Sequence, residues 1–335
     1  MFTMEGDSFT SPRLRLVLLL CLPLTLQARP PPPSLDFLVV GVQKSGTTAL
    51  RNHLHACHPS VCMFPGEMHT MEPSYGQAYG QEVNEENAAP FYEHLAAVAR
   101  SKGRCDDSSE AIKAKAIGVA PPPFSSEKKA IGVVDPKFSY LAAEYPEMWR
   151  LLLRGCPKVK VVLLLREPVQ RAFSQYNMLM DMLEGKATYS FHSAVNCDTE
   201  DEVRHHHGNS KLEYGDYVAR GFYDEQVEAL FETFPKHRVK ILISEDVFQD
   251  PLAVTNHLFD FLQVQTLEAF REPVFTRPAP QNVTPMANAT YVCLRNIYRP
   301  RNARLYRLLG NIITPWEQWY RQHDDKESGR ESPSS

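Results

Sequence analysis

The sequence predicts an α/β fold, a P-loop-like three-layer arrangement in which a central, mostly parallel sheet is flanked by helices. Three observations carry that expectation. Continuous apolar runs at residues 37–42, 159–165 and 239–244 have the character of strands covered on both faces. Helical patterns follow them at 48–56, 168–183 and 251–262, as crossover connections require. The first two runs also end in loops rich in basic and hydroxyl residues, at the strand ends where an open parallel sheet takes its ligands.

The chain has 335 residues, 43% hydrophobic and 23% charged, enough for one large core, and a single domain over residues 36–322 is the simplest organisation. A formal net charge of −4 provides no global basic field, so nucleic acid is not expected as a partner and any polyanion would have to meet a local patch. Residues 13–28, RLRLVLLLCLPLTLQA, form a basic-led apolar segment within a 1–28 leader, followed by a Pro-rich linker at 29–35. The segment is short for a membrane span and is interrupted by Pro23. It therefore reads as a signal peptide, with a short type II anchor as the alternative that would tether the chain to a membrane. Beyond it lie Cys57, Cys62, Cys105, Cys156, Cys197 and Cys293, an even set suited to an oxidising compartment, with no pairing legible. Asn282 and Asn288 open glycosylation sequons. The run His205–His207 has no companion ligands at metal-binding spacing and reads as a solvated loop, so no metal is expected.

The first strand, Phe37–Val42, passes directly into a loop punctuated by Gly41 and Gly46 and then into a helix over 48–56. Backbone N–H groups freed at a helix start grip an anion, and Lys44, Ser45, Thr47 and Thr48 add a charge and hydroxyl donors. A nucleoside-triphosphate loop would place lysine directly after the second glycine. Here that position is Thr47, and the lysine stands two places ahead of Gly46. Next, HPSVCM leads to an expected loop carrying Glu67 and His69. Residues 87–100 have helical periodicity, and 101–129 read as an exposed insertion. KAIGV occurs twice, and its second copy, Lys129–Val133, is expected to enter a strand.

The strand at 159–165 ends at Arg166-Glu167-Pro168, with Pro168 well suited to a first helical turn and a helix expected to about Leu183. A guanidinium at a strand end can fork onto phosphate, and a hydroxyl further along the helix, Ser174, can reach the same group. Helices are expected over 215–234 and 251–262, with a short buried strand at 239–244 between them. Residues 323–335 are expected to form a polar tail.

These loops resemble those of the carbohydrate sulfotransferase family. Lys44, Gly46, Thr47 and Leu50 match its K-x-G-T-x-x-L loop for the 5′-phosphosulfate of 3′-phosphoadenosine 5′-phosphosulfate (PAPS). Arg166, Glu167, Pro168, Arg171, Ser174 and Tyr176 match its R-D/E-P-x-x-R-x-x-S-x-Y motif for the 3′-phosphate. The resemblance covers residues 36–320 and implies the sulfotransferase fold, including a structural helix over residues 294–310. It also implies PAPS as donor, no metal requirement, and sulfuryl transfer to a hydroxyl or amine of a glycan, a glycosaminoglycan or related polysaccharide, in the Golgi lumen. The nearest look-alikes are the heparan sulfate sulfotransferases and the N-acetylgalactosamine 4-sulfate 6-O-sulfotransferase type.

In the glycosaminoglycan branch a Glu in an E-x-H setting is the base, which implies Glu67 with His69 in support; His69 as the base is the alternative. Lys44, and by a looser match Lys137, would neutralise the leaving group, although Lys137 is displaced by one residue from the family pattern and could equally be a surface lysine. The family's K-G-R cofactor loop is not visible between Phe270 and Cys293, and no cysteine follows Cys293 to complete the late disulfide that it resembles. Competing readings are a nucleotide-dependent kinase and a non-catalytic polyanion-binding module on the same fold.

Overall fold

The computed structural model describes residues 35–58, 60–67, 130–183, 189–195, 216–269 and 285–327. Its sheet has five parallel strands: β1 (Phe37–Val39), β2 (Val61–Glu67), β3 (Ala130–Val134), β4 (Lys160–Leu165) and β5 (Val239–Ile243), in the order β2-β3-β1-β4-β5. β1 is central. Its residues 37–39 align with 132–134 of β3 on one side and with 160–162 of β4 on the other. The chain leaves β1 toward β2 and later crosses back to β4, so the sheet's switch point lies at β1 and β4, where a crevice opens beyond the strand ends.

Helices cover both faces. α1 (Thr47–Cys57), α7 (Ser244–Gln249) and α8 (Pro251–Leu262) lie on one face. There Leu50, Leu54, Val247, Leu258 and Phe259 pack with Phe37, Val39, Val162 and Leu164. The other face carries α2 (Phe138–Glu144), α3 (Glu147–Gly155), α4 (Pro168–Met182), α5 (Phe191–Val195), α6 (Tyr223–Thr233), α9 (Asn288–Leu309) and α10 (Thr314–Glu327). Leu38, Val40, Val161, Leu163 and Leu165 point into this second layer. Successive strand residues thus alternate between two dry cores, which is why the runs are apolar without interruption. The expected three-layer architecture is present.

Several expectations change. Glu67 is the last residue of a strand rather than part of a loop. β2 is an edge strand, so it tolerates Pro65, and its register shifts between Met63 and Glu67. The single helix expected over 215–234 is a 3₁₀ turn, Ala219–Gly221, followed by α6. The break falls where Gly221 meets the Tyr298 ring so closely that a Cβ would lie 2.7 Å from it. The helix expected at 294–310 begins at Asn288, and its Arg301 pairs with Asp224 and Glu225 of α6 at 3.1 and 2.9 Å. α10 continues to Glu327, into the stretch read as tail.

The leader, the helical pattern at 87–100, the insertion at 101–129, His69, His205–His207 and Asn282 lie outside the described residues. Among the described residues no helix is long and apolar enough to cross a membrane.

Candidate active site

The two anion motifs meet at the carboxyl ends of β1 and β4. Past β1 the chain stays bonded to β4, with Val42 N–H donating to Leu164 O and Leu164 N–H to Gly41 O, both at 2.8 Å. It then turns sharply. Lys44 (φ 70°) and Gly46 (φ 95°) are both left-handed, which is costly for a lysine and persists where the surroundings fix the turn. α1 starts at Thr47 with no side-chain cap and no acidic residue in its first turn. Its leading N–H groups and the positive end of its dipole are therefore left for an external anion.

The side chains around that opening suit the same ligand. Ser45 is 1% exposed and its Oγ has no hydrogen-bond partner among the described residues, a costly state for a buried hydroxyl unless a ligand satisfies it. Its carbonyl accepts from Ser244 Oγ at 2.8 Å, tying the loop to the end of β5. Thr47 is buried beside it. Arg166 reaches across from the end of β4 and donates to Lys44 O at 3.1 Å, while its own carbonyl accepts from Tyr223 Oη at 2.9 Å. Burial, and then the neighbouring Arg166 guanidinium, lower the Lys44 pKa from its ordinary value; the charges of Glu67 and Asp181 oppose them. Two half-buried cations therefore share one opening, which favours a polyanionic occupant.

Glu67 closes one side. β2 brings it level with Val134 of β3, and its Oε1 accepts from Thr48 Oγ1 at 2.5 Å. Lys137 also belongs to this end of the sheet. It is 4% exposed, which corrects the surface reading. Its turn is stitched to the exit of β1 by Asp135 N–H to Val39 O and Ser139 N–H to Val40 O, both at 2.8 Å. Gly41 permits that approach, since a Cβ there would lie 2.8 Å from Ser139 Oγ.

The R-E-P motif divides into separate jobs. Only Arg166 faces the opening. Glu167 turns inward and caps α4, accepting from Val169 N–H at 3.0 Å and Gln170 N–H at 2.7 Å. Arg171 is fully buried and donates to Gln175 Oε1 at 2.7 Å and to Tyr217 O, so it braces the core behind the motif. Ser174 is half-buried on α4, and no hydrogen bond joins it to the loop among the described residues.

Two supports were not read from the sequence. Arg220, 2% exposed, donates to Gln43 Oε1 at 2.6 Å and so holds the loop from the side. Nothing in its local pattern marks it. Ser244 does carry a signal, because it follows a buried strand just as Arg166 does.

An uncapped helix start beside two cations, at the strand ends of a doubly covered parallel sheet, is an opening suited to an anionic ligand. The profile of the Sulfotransferase family matches residues 36–268, and the protein belongs to that family. It is similar to carbohydrate sulfotransferase 15 of Homo sapiens, with 28% identity over 177 residues covering 48% of this chain and 32% of that protein. The Mus musculus counterpart is 27% identical over the same length. The match thus spans only about a third of these curated relatives. Among solved structures, a sulfotransferase from Alicyclobacillus acidocaldarius aligns with a TM-score of 0.58 and 23% identity, covering 84% of this chain and 98% of that one. That likeness speaks to the fold.

Proposed function

We propose that the protein transfers the sulfuryl group of PAPS to a hydroxyl or amine of a carbohydrate, a glycosaminoglycan or related polysaccharide. The observation that carries this reading is the uncapped start of α1, with the buried Ser45 hydroxyl, unpartnered among the described residues, and with Lys44 and Arg166 beside it. The α1 N–H groups, Ser45 and Thr47 would hold the 5′-phosphosulfate. Arg166 and Ser174 would hold the 3′-phosphate. The donor supplies an electrophilic sulfur with a phosphate leaving group. As the acceptor oxygen bonds to sulfur and the sulfur–phosphate bridge breaks, Glu67 takes the acceptor's proton. Lys44 meets the charge growing on the departing oxygen, with Lys137 adding to the field. The products are a sulfate ester, or a sulfamate where the acceptor is an amine, and 3′,5′-ADP.

A secretory, Golgi-lumenal location fits the leader-like segment and the sequons. Disulfide pairing at Cys62 and Cys293 would suit that compartment. Cys156 is buried.

The test is incubation with labelled PAPS and a panel of desulfated polysaccharides, followed by disaccharide analysis. Label in a defined sugar position is the expected result. No transfer to any glycan, together with no affinity for 3′,5′-ADP by calorimetry, would leave a glycan-binding module as the better reading.

A further inference from the structure

We propose that Arg220, Gln226 and Ser139 are positioning residues that act through Lys44: they form a buried polar circuit that holds the turn of Lys44 against the turn carrying Lys137. The inference rests on the reading of Lys44 as the group that meets charge on the departing oxygen, and adds to it. The circuit starts at the exit of β1, where Val40 O accepts from Ser139 N–H at 2.8 Å. Ser139 Oγ donates to Gln226 Oε1 of α6 at 2.8 Å, and Gln226 Nε2 donates to Arg220 O at 3.1 Å. The Arg220 guanidinium then donates to Gln43 Oε1 at 2.6 Å, which brings the circuit back to the chain just past Val40.

Burial makes this arrangement exacting. Ser139, Gln226 and Arg220 are all buried, and a polar group left unpaired there costs far more than it would in water, so the geometry that satisfies every member is narrow. Arg220 is held further by Asp216, 3.9 Å away, and by Tyr140 of α2, whose ring centre lies 5.3 Å from its guanidinium carbon.

The hold falls on the residue directly before Lys44, whose left-handed φ of 70° has to be imposed by its surroundings. Arg166 takes the Lys44 carbonyl at 3.1 Å and Arg220 takes the Gln43 side chain, so two guanidiniums pin consecutive residues of the turn. The next residue is anchored separately, by Ser244 Oγ on Ser45 O. Losing the circuit would therefore misplace the ammonium while leaving the phosphates their ligands. Lys137 stands in the same turn as Ser139, its own N–H bonded to Asp135 Oδ1 at 3.2 Å, so the circuit also fixes where the two lysine turns stand relative to each other.

Arg220→Met and Gln226→Met are made in the wild-type chain and in Lys44→Ala, and read for kcat with labelled PAPS and for 3′,5′-ADP affinity by calorimetry. In the wild-type chain Arg220→Met should lower kcat roughly 10- to 100-fold and Gln226→Met about 2- to 10-fold, the worth of a charged and of a neutral hydrogen bond. Affinity for 3′,5′-ADP should stay within about twofold. In Lys44→Ala neither change should lower the residual kcat further, because the group they position is gone. The same fold-loss in both backgrounds would make these residues merely structural and overturn the proposal. So would 3′,5′-ADP affinity falling in step with kcat, or a wild-type kcat in Arg220→Met. Should either variant fail to fold, Ser139→Ala, which deletes a single oxygen, takes its place with the expectations given for Gln226→Met. A fully active Lys44→Ala overturns the reading of Lys44 itself, whereas an impaired Lys44→Ala beside a fully active Arg220→Met overturns only the circuit.

Discussion

Glu167 makes the stability of this protein depend on pH in a direction opposite to that of most carboxylates. It is fully buried under the start of α4, and burial pushes its pKa up to about 7, against the pull of hydrogen bonds from Gln170 and Val169 N–H and from Tyr320 Oη. The unfolded chain releases this proton near 4.5. Between the two values the folded state holds a proton that the unfolded state has lost, so stability falls as pH rises through that window. At 1.36 kcal/mol per pKa unit, the loss is on the order of 3 kcal/mol between pH 4.5 and 7, or about 5 °C in Tm for a domain of this size.

Glu167→Gln removes the titration while keeping an acceptor for one of the capping N–H groups. At pH 5 the variant should be the less stable by about 1–2 kcal/mol, the cost of a weakened cap. By pH 8 the order should narrow or reverse. The assay is urea unfolding of both proteins at pH 5, 6, 7 and 8. Parallel curves across that range would refute the reasoning. Wild type gaining on the variant as pH rises would show instead that three donors keep Glu167 ionised and that burial does not dominate.

Other consequences are open to direct measurement. Arg166→Ala should weaken 3′,5′-ADP binding roughly 10- to 100-fold by calorimetry, through loss of a charge-assisted contact. Lys44→Ala should cost turnover more than product affinity, as expected of a group that meets charge in the transition state. Glu67→Gln should cut transfer by about a hundredfold or more at saturating PAPS, and an inactive His69→Ala beside an active Glu67→Gln would move the base to histidine. Gly132→Ala should destabilise the sheet by about 1–3 kcal/mol in chemical denaturation, since its Cβ would fall 2.1 Å from the ring of Phe37, its aligned neighbour on β1.

What could be read in advance follows from how each residue is constrained. β1, β4 and β5 were legible because a strand covered on both faces has no polar position to blur it. α4 announced its start through Glu167 and Pro168, which turn out to be its cap and first residue. β2 was not read as a strand, because Pro65-Gly66 is a turn signal and only membership of the sheet edge reveals that a strand tolerates it. α10 hid in a charged sequence, although Ile313, Trp316 and Tyr320 recur at helical spacing and are all buried. Within the site, the loop and Arg166 were legible as motif residues. That Arg171 braces the core while Arg166 faces the opening was not, because a motif records which residues occur together and not the direction of each side chain. Arg220 was invisible because its partner, Gln43, lies 177 residues away.

The part of the chain that carries the family signature is not the part that can stand alone. The match ends at residue 268, but the carboxylates behind the arginine turn find donors well beyond it. Tyr320 Oη donates to Glu167 at 2.7 Å, and Trp316 Nε1 to Glu245 at 2.9 Å, while Glu245 in turn accepts from Glu167 N–H at 3.1 Å. A chain stopped ahead of Trp316 would keep every motif residue of the site and strip both acids of these donors directly under Arg166. The smallest unit worth expressing therefore runs through α10, and a C-terminal fusion partner belongs after Glu327, beyond the helix that finishes the site from behind.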